Sequence, residues 1–223
     1  KQRSRTIESL VHEAHSLVDR GVKEMMVIAQ DSTTYGWDLK PKRYLHELLV
    51  ELDQIEGLDW IRLHYAHPAH FSRKLIPVLK DAQRIVPYLD IPVQHASSRM
   101  LTAMKRGLDG AGLRRLLLQL RREIPQLKLR TSVIVGFPGE TQDDFDELFD
   151  FLEELQFERL CVFTYSEEED TSGAELADDV PRAVKVERMD AVMALQHSIS
   201  YNHNQELIGR KLAVIIDSPD PDH

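Results

Sequence analysis

An uninterrupted alternation of amphipathic helix patterns with short apolar strand patterns constrains the fold most strongly. Apolar residues recur at three- and four-residue spacing over residues 7–18, with Thr6 placed to cap a helix and Gly21 to end it. A continuous apolar run at residues 25–29 follows, which is typical of a strand covered on both faces. The alternation continues along the chain and predicts βαβ units around a parallel sheet.

The same patterns predict the remaining elements. Strands are expected at residues 60–65, 88–93, 129–135 and 159–165. Helices are expected at residues 41–56, 71–82, 98–104 and 113–123, after Thr141, and from about Pro181. Because proline forfeits a ladder hydrogen bond, the strand that contains Pro92 should end or bend there.

The pattern changes after residue 205. Residues 212–217 predict a strand that no helix pattern follows. We therefore divide the chain into a main domain at residues 1–205 and, at residues 206–223, a linker with the first strand of another domain.

Composition and charge narrow the function classes. With 223 residues, 42% of them hydrophobic, the chain can bury a sizeable core. The formal charge of -9 argues against a surface built to neutralise phosphates, so direct nucleic-acid binding is not favoured. We expect no membrane segment and a cytoplasmic location. With a single cysteine, Cys161, this chain alone supports neither a disulfide framework nor a cysteine metal site.

Polar residues follow the predicted strands, and in parallel α/β barrels the reactive groups lie at those carboxyl ends. A glycine-rich turn, residues 136–139, leads into the helix that Thr141 would cap. Such a turn predicts close backbone approach and free amide groups suited to a nucleotide-like ligand, and a purely structural connector is the alternative. Arg130, on the preceding strand, is a candidate cation for a ligand carboxylate, or an ordinary surface arginine.

Other candidate sites are weaker. His64, His67 and His70 have regular spacing, but His64 and His67 should point to opposite faces of a strand, and Pro68 should keep His67 and His70 apart. Cys161 reads as a buried structural thiol. The acidic run at residues 167–170 is either a solvated loop or a site for a cation or a basic partner.

Several segments together carry a family resemblance. They are residues 28–39, 90–95, 104–107, 129–141 and 163–171. On these segments the chain resembles the methylthiotransferase branch of the radical S-adenosylmethionine enzymes, in particular the type that thiomethylates an aspartate of a small-subunit ribosomal protein.

The resemblance implies an α/β fold, namely a partial (β/α)6 TIM-type radical S-adenosylmethionine barrel whose first strand is missing here, plus the start of a C-terminal β (TRAM) domain. It implies S-adenosylmethionine and, in the full-length protein, two 4Fe-4S clusters. The CxxxCxxC loop of such enzymes would lie upstream of Lys1, so we expect no cluster and no activity in this chain alone. A reductant protein and the ribosomal protein are the implied partners.

The resemblance also implies roles for residues at the strand ends. Gln30 and Asp31 would approach the methionyl amino group, and Arg130 would pair with a carboxylate. The remaining cofactor-binding residues would be Gln94, His95, Val135, Gly136, Phe137 and Pro138, of which the last four cup the adenine. Tyr165 and Glu167 would face the substrate.

Two alternatives remain open. The sister enzymes that thiomethylate an adenosine in tRNA share the fold, but the three carboxylates at residues 167–169 would repel an RNA backbone and suit a basic protein loop. A non-catalytic barrel that only binds a nucleotide-like ligand or a protein is the second alternative.

Overall fold

The computed structural model describes residues 3–167 and 176–216. Strands are β1 (Glu24–Val27), β2 (Trp60–Leu63), β3 (Ile85–Asp90), β4 (Lys128–Val135) and β5 (Arg159–Thr164). Helices are α1 (Ile7–Asp19), α2 (Leu45–Asp53), α3 (Leu75–Asp81), α4 (Ser98–Ala103), α5 (Gly110–Glu123), α6 (Gln142–Leu155) and α7 (Arg182–Gln205). Two short 3-10 turns, Ser32–Thr34 and Pro68–His70, follow β1 and β2.

The strands form one sheet in the order β1-β2-β3-β4-β5, and every neighbouring pair is parallel. Sequence order and spatial order therefore coincide, as expected when each strand is joined to the next by a helical crossover. The predicted parallel α/β sheet is confirmed. All the carboxyl ends of the strands consequently meet at one edge, which we call the strand-end edge.

The two faces of the sheet differ. Along β4, Leu129, Val133 and Val135 are fully buried in the same core as the apolar residues of α5 and α6, whereas Arg130 and Ile134 are only half-buried. Since successive side chains of a strand point to opposite faces, the helices cover one face. The other face, which we call the open face, carries the half-buried residues.

Two helices begin as the sequence predicts. The side chain of Thr6 accepts a hydrogen bond from the amide of Ser9 at the start of α1. At α6, Thr141 accepts from the amide of Asp144, and the Asp144 carboxylate accepts from the amide of Thr141, a reciprocal capping box. Each cap satisfies helix amides that have no intrahelical partner and stabilises its helix by about 1 kcal/mol.

The helix predicted at residues 41–56 is shorter than expected. Gly36 accepts hydrogen bonds from the amides of Leu39 and Arg43, so this stretch forms a closed turn. α2 therefore begins only at Leu45, after an extended Tyr44.

Two predictions concern strand ends. β3 ends at Asp90, before Pro92, as predicted. The strand predicted at residues 212–217 is not formed over residues 211–216, which carry no regular secondary structure, and residue 217 lies outside the described residues. Val214 and Ile216 are 72% and 82% exposed, and neither pairs with the described five-stranded sheet. No helix in the described part of the chain is long and apolar enough to cross a bilayer.

Candidate functional site

At the carboxyl end of β1, Asp31 is hydrogen-bonded to a histidine of the β2 loop and Gln30 is exposed. One oxygen of the Asp31 carboxylate lies 2.6 Å from Nδ1 of His70 and the other accepts from the amide of Thr33. Burial alone would raise the pKa of Asp31, but the hydrogen bonds from Thr33 and His70 outweigh it and lower this pKa below its ordinary value. Asp31 is therefore an ionised carboxylate at the strand-end edge.

The β2 loop brings two histidines together, contrary to the sequence expectation. His67 and His70 stack with ring centroids 4.8 Å apart, because the turn at Pro68–His70 folds the chain back after His67. Burial, followed by the positive charges of Arg106 and His70, lowers the pKa of His67 to about 4. His67 is thus uncharged at neutral pH. Within the described residues, no group of three histidine, cysteine or acidic side chains could hold a metal ion.

Arg106 is a site residue that the sequence reasoning missed, although it lies in one of the segments that carry the resemblance. It follows α4, and its Nη2 donates to the backbone oxygen of Pro92 over 2.8 Å. Its Nε is buried and has no hydrogen-bond partner. Asp31 and Tyr65 are close enough to act on its charge.

A row of polar contacts crosses the open face. Oε1 of Glu24 lies 2.8 Å from Nη2 of Arg62, whose guanidinium lies 4.8 Å from the centroid of the Tyr88 ring. Farther along the strands, Asp90 lies 3.8 Å from Nδ1 of His64. The row continues from Asp90 to β4 and β5.

Arg130 lies at the centre of this row. Its Nη1 donates to Asp90 over 2.8 Å, and its Nη2 lies 3.4 Å from Sγ of Cys161. Arg130 therefore already forms a salt bridge with a carboxylate of the chain itself. The pairing of Arg130 with a ligand carboxylate stays a prediction. The expectation of a buried structural thiol is wrong: Cys161 is half-buried, because its side chain points to the open face and not to the helices.

The segment after β3 turns sharply and then enters the core. Gln94 has a left-handed φ of 68° and pairs with β4 at Val133. His95 is fully buried, and its Nδ1 accepts from the amides of Ala96 and Ser97 over 3.0 and 3.1 Å. The proton of a neutral His95 is therefore on Nε2, which has no hydrogen-bond partner and lies 3.7 Å from Glu140.

The amides of the glycine-rich turn after β4 donate to carboxylates of the protein itself. Residues 135–138 are buried, and their contact with an adenine stays a prediction. The expectation of free amides is wrong, because the Glu140 carboxylate accepts from the amides of Gly136 and Phe137 over 2.7 and 3.3 Å. The amide of Gly139 likewise donates to Asp179 over 2.6 Å.

Two side chains of α7 contact this turn. The sequence patterns did not predict these contacts. Nη1 of Arg188 donates to Oε1 of Glu140 over 2.7 Å, and both side chains are almost completely buried. Gly136 has a φ of 71°, and a Cβ there would lie 2.3 Å from Cγ of Lys185. Lys185 also donates to the backbone oxygen of Tyr165 and to the carboxylate of Asp178.

The end of β5 carries the predicted substrate-facing pair. The Tyr165 ring packs edge-on against Phe137 with centroids 5.1 Å apart, and its hydroxyl is buried without a hydrogen-bond partner. Burial, followed by the charges of Glu167 and Asp178, raises the pKa of Tyr165. Glu167 is exposed, and the rest of the predicted acidic run, residues 168–170, lies outside the described residues.

Buried polar side-chain atoms that lack a hydrogen-bond partner are concentrated at this edge. Of the six such atoms in the described residues, four lie on segments at or next to the strand ends, namely His64 Nε2, His95 Nε2, Arg106 Nε and Tyr165 Oη, and the other two, His46 Nδ1 and Arg188 Nε, lie in α2 and α7. Because leaving such an atom unsatisfied costs about 1–3 kcal/mol, their clustering favours a site for a polar ligand.

Comparisons with known proteins agree on a family. The model of the radical SAM superfamily matches residues 1–152. Proteins named ribosomal protein uS12 methylthiotransferase RimO are similar along nearly the whole chain. The protein of Anaeromyxobacter sp. (strain K) is 53% identical over 97% of this chain and 46% of its own length. The protein of Flavobacterium psychrophilum is 47% identical over 100% of this chain and 52% of its own length. The chain thus spans about half the length of these curated relatives.

Solved structures support the fold. Streptococcus suis SuiB bound to the precursor peptide SuiA matches with a TM-score of 0.56 and 15% identity over 92% of this chain and 41% of that one. Coproporphyrinogen III oxidase (HemN) from Escherichia coli, a radical SAM enzyme, matches with a TM-score of 0.52 and 14% identity over 86% of this chain and 56% of that one. At these identities the likeness shows a shared partial barrel and nothing about substrates.

Proposed function

Because the chain belongs to the radical SAM superfamily, we propose that it forms the ligand-facing wall of an enzyme that adds a methylthio group to the β-carbon of an aspartate in ribosomal protein uS12. One observation carries the proposal: relatives named for this activity are 53% and 47% identical along 97% and 100% of the chain. The strand-end edge, with its unsatisfied polar atoms, is the surface at which such chemistry would take place.

The residues present fit S-adenosylmethionine. Its ammonium group suits the ionised Asp31 carboxylate beside Gln30, and its adenine would lie along the backbone of the turn at residues 135–138. Gln94 lies between these two regions on the β3 loop. When bound to a reduced iron–sulfur cluster, S-adenosylmethionine supplies the radical that removes hydrogen from the substrate carbon.

The chain's own residues would orient the cofactor and the substrate. Asp31 would hold the ammonium group at a fixed position, because Thr33 and His70 already fix its two oxygens and a carboxylate oxygen can accept more than one hydrogen bond. Tyr165, whose raised pKa keeps the phenol protonated, would offer a neutral hydroxyl donor on the substrate side. Glu167 would lie at the exposed mouth, where it suits a basic protein partner.

The residues present do not fit an iron–sulfur cluster. The chain contains one cysteine, Cys161, and its sulfur contacts Arg130 on the open face. Cysteine thiolates are the usual ligands of 4Fe-4S clusters, four to each cluster. The two clusters, and the protein that reduces them, therefore belong to our proposal for the whole enzyme, and no step is assigned to them here.

The same proposal covers the remaining features of the whole enzyme. Residues 206–223 would be a linker and the first strand of a TRAM domain that pairs with strands beyond this chain. The enzyme would act in the cytoplasm, where uS12 is made.

Mass spectrometry of cells that lack the gene tests the proposal. We expect uS12 to lose the mass of one methylthio group, and the methylthioadenosine of tRNA to be unchanged. Loss of the group from tRNA alone would favour the sister activity. If both molecules kept their modification, a non-catalytic binding barrel would be the better description.

A further inference from the structure

Two exposed aromatic rings and two lysines lie together beside the strand-end edge. They are Trp37, Lys42 and Tyr44 in the loop between β1 and α2, and Lys74 directly before α3, and we call them the aromatic–lysine patch. We propose that this patch binds single-stranded RNA and so holds the enzyme on RNA that lies next to its substrate protein. That this RNA is ribosomal rests on the proposed function, whereas the binding of RNA does not.

The lysines of the patch lie over the faces of its rings. Nζ of Lys42 lies 5.0 Å from the centroid of the Trp37 ring and 5.5 Å from that of the Tyr44 ring. Nζ of Lys74 lies 5.9 Å from the Tyr44 centroid and comes from the loop between β2 and α3. Rings and charges therefore alternate on one surface that two neighbouring strand-end loops build together.

The rings are held in place but are not buried. Trp37 lies in the closed turn between Gly36 and Arg43, and its ring meets that of His70 edge-on with centroids 5.4 Å apart. Trp37 is nevertheless 44% exposed, and Tyr44 is 38% exposed. Large exposed rings that the backbone already fixes lose little freedom when they bind, so they suit a surface that contacts a partner.

The patch also lies within a local concentration of positive charge. Four exposed cations here form no ion pair with any residue of the ranges 3–167 and 176–216, namely Lys40, Lys42, Arg73 and Lys74. The nearby carboxylates of Asp38 and Glu47 accept from backbone amides instead. The net charge of -9 argues against a wide basic surface, but it does not show where the cations of the chain are gathered.

The other end of the strand-end edge carries the opposite charge. The sheet order places the β1 and β2 loops at one end of the edge and the β5 loop at the other. Near the β5 end, the carboxylates of Glu167 and Asp179 are exposed. A basic protein is attracted to that end and a polyanion to the patch, so the edge can hold both at the same time.

Single-stranded RNA matches the patch better than an acidic protein does. The phosphates of a single strand pair with lysines, and its unpaired bases stack on aromatic rings. A lysine over an exposed ring makes a weak contact, so it can give way to a base and move to the adjacent phosphate. An acidic protein would use the charges of the patch and give its two rings no specific role.

The test measures RNA binding by the full-length, cluster-loaded enzyme. The probes are a fluorescein-labelled single-stranded RNA of about 12 nucleotides, the same strand in a duplex, and a labelled polyglutamate peptide that represents an acidic protein. Fluorescence anisotropy gives each dissociation constant over a series of salt concentrations. Thermal unfolding of each variant checks that the fold is intact.

The variants remove one ring or one charge each, and every one has a matched control. They are Trp37→Leu, Trp37→Phe, Lys42→Gln and Lys74→Gln. Tyr201→Leu removes an exposed ring from α7, far along the chain from the patch. Lys80→Gln removes an exposed lysine from the last turn of α3, at the opposite end of the helix that Lys74 precedes.

We expect Trp37→Leu to weaken the single strand about tenfold at every salt concentration, because one stacked base is lost, and Trp37→Phe to keep most of the affinity. Lys42→Gln and Lys74→Gln should each lower the slope of log affinity against log salt by about 0.7, as the loss of one phosphate contact requires. Both controls should match wild type. The duplex should bind more weakly than the single strand, and the peptide should bind Trp37→Leu as it binds wild type.

Three results would overturn the inference. They are a single strand that binds no better than the duplex, an unchanged affinity in Trp37→Leu, and a salt slope that neither lysine variant changes. If only the lysine variants weakened binding, and did so equally for RNA and peptide, the patch would be assigned to an acidic protein.

The ribosomal source of the RNA is tested with two substrates, free uS12 and isolated small ribosomal subunits. Trp37→Leu should raise the KM for the subunits and leave the KM for free uS12 unchanged. A KM that rises for both substrates, or for neither, would count against ribosomal RNA. Failure of the proposed function shows separately, as uS12 that keeps its methylthio group in the deletion strain while the RNA affinities stand.

Discussion

Replacing Arg188 by methionine tests whether α7 fixes the turn after β4. The guanidinium is 2.7 Å from Oε1 of Glu140, and the two side chains are 7% and 0% exposed. Methionine keeps much of the length of the side chain but removes its charge. The Glu140 carboxylate would then stay buried with only the amides of Gly136 and Phe137 and the imidazole of His95 around it.

The loss in free energy of unfolding depends on the hydrogen-bond donors that remain around the Glu140 carboxylate. Breaking a buried ion pair by removing one partner costs about 3–5 kcal/mol. The two remaining amide donors place this case near the lower end, at about 3 kcal/mol. For a chain of 223 residues, that corresponds to a fall in Tm of roughly 6–12 °C.

A double-mutant cycle separates the pair from simple packing. Glu140→Gln alone leaves Arg188 buried without a counter-ion and should cost a similar amount, whereas the double variant leaves no buried charge unpaired. We expect the double variant to be more stable than the sum of the single losses predicts, by about 2 kcal/mol. Arg114→Met is the matched control, because the Arg114–Glu154 pair is exposed and should contribute less than about 1 kcal/mol.

Urea denaturation followed by circular dichroism measures all four variants. The reasoning would be refuted if Arg188→Met cost less than about 1 kcal/mol, or if the double variant lost as much as the two single variants added together. Either result would mean that water or a rearranged side chain replaces the contact.

The remaining predictions use the same measurement or NMR. Gly136→Ala should cost more than about 2 kcal/mol, since both its left-handed φ and Lys185 oppose a Cβ, whereas Gly21→Ala, with open space at its Cβ, should cost about 1 kcal/mol. Although burial opposes it, hydrogen bonds hold the pKa of Asp144 far below its usual value. The stability that Asp144 adds relative to Asp144→Asn should therefore be complete above about pH 5 and decline as the pH falls through the unfolded pKa toward the folded one. The His67 imidazole should titrate near pH 4, where its pKa lies, and the folded state should lose stability relative to His67→Gln as the pH falls from about 6.5 toward 4. The glycine prediction is contradicted if both variants lose the same free energy of unfolding. The Asp144 prediction fails if its contribution to stability does not change with pH, and the His67 prediction fails if the imidazole titrates with a midpoint near pH 6.5.

The fold was largely predictable because its signals are local. Apolar spacing identified the strands and most helices, and caps such as Thr6 and Thr141 marked two helix starts. The failures have non-local causes. α2 begins late because Gly36 closes a turn with Arg43, and the segment 211–216 pairs with no strand of the described sheet. Spacing along the chain carries no information about either contact.

The position of the candidate site was predicted from topology, but two of the arginines that reach it were not. Collecting the strand ends found Asp31, Gln94 and Tyr165, because parallel strands bring their carboxyl ends to one edge. It missed Arg106 and Arg188, which reach the edge from residues outside the strand-end loops. Long side chains act up to several ångströms from their backbone, so the position of the backbone in a predicted element does not show where the charge lies.

The two sides of the strand-end edge are built differently, and this bears on how a ligand would be recognised. The turn after β4 has its amides and its glutamate satisfied by Glu140 and Arg188, so under the proposed function it would need no ordering when an adenine binds beside it. The β1 loop holds the ionised Asp31, and Arg106 reaches the same side from the turn after α4, so a ligand there must meet specific charges. Apolar contact can bind many nucleotide-like molecules, whereas unmatched charges reject those that lack the complementary groups. We therefore infer that discrimination between ligands arises mainly on the β1–β2 side, and that the β4 side contributes affinity.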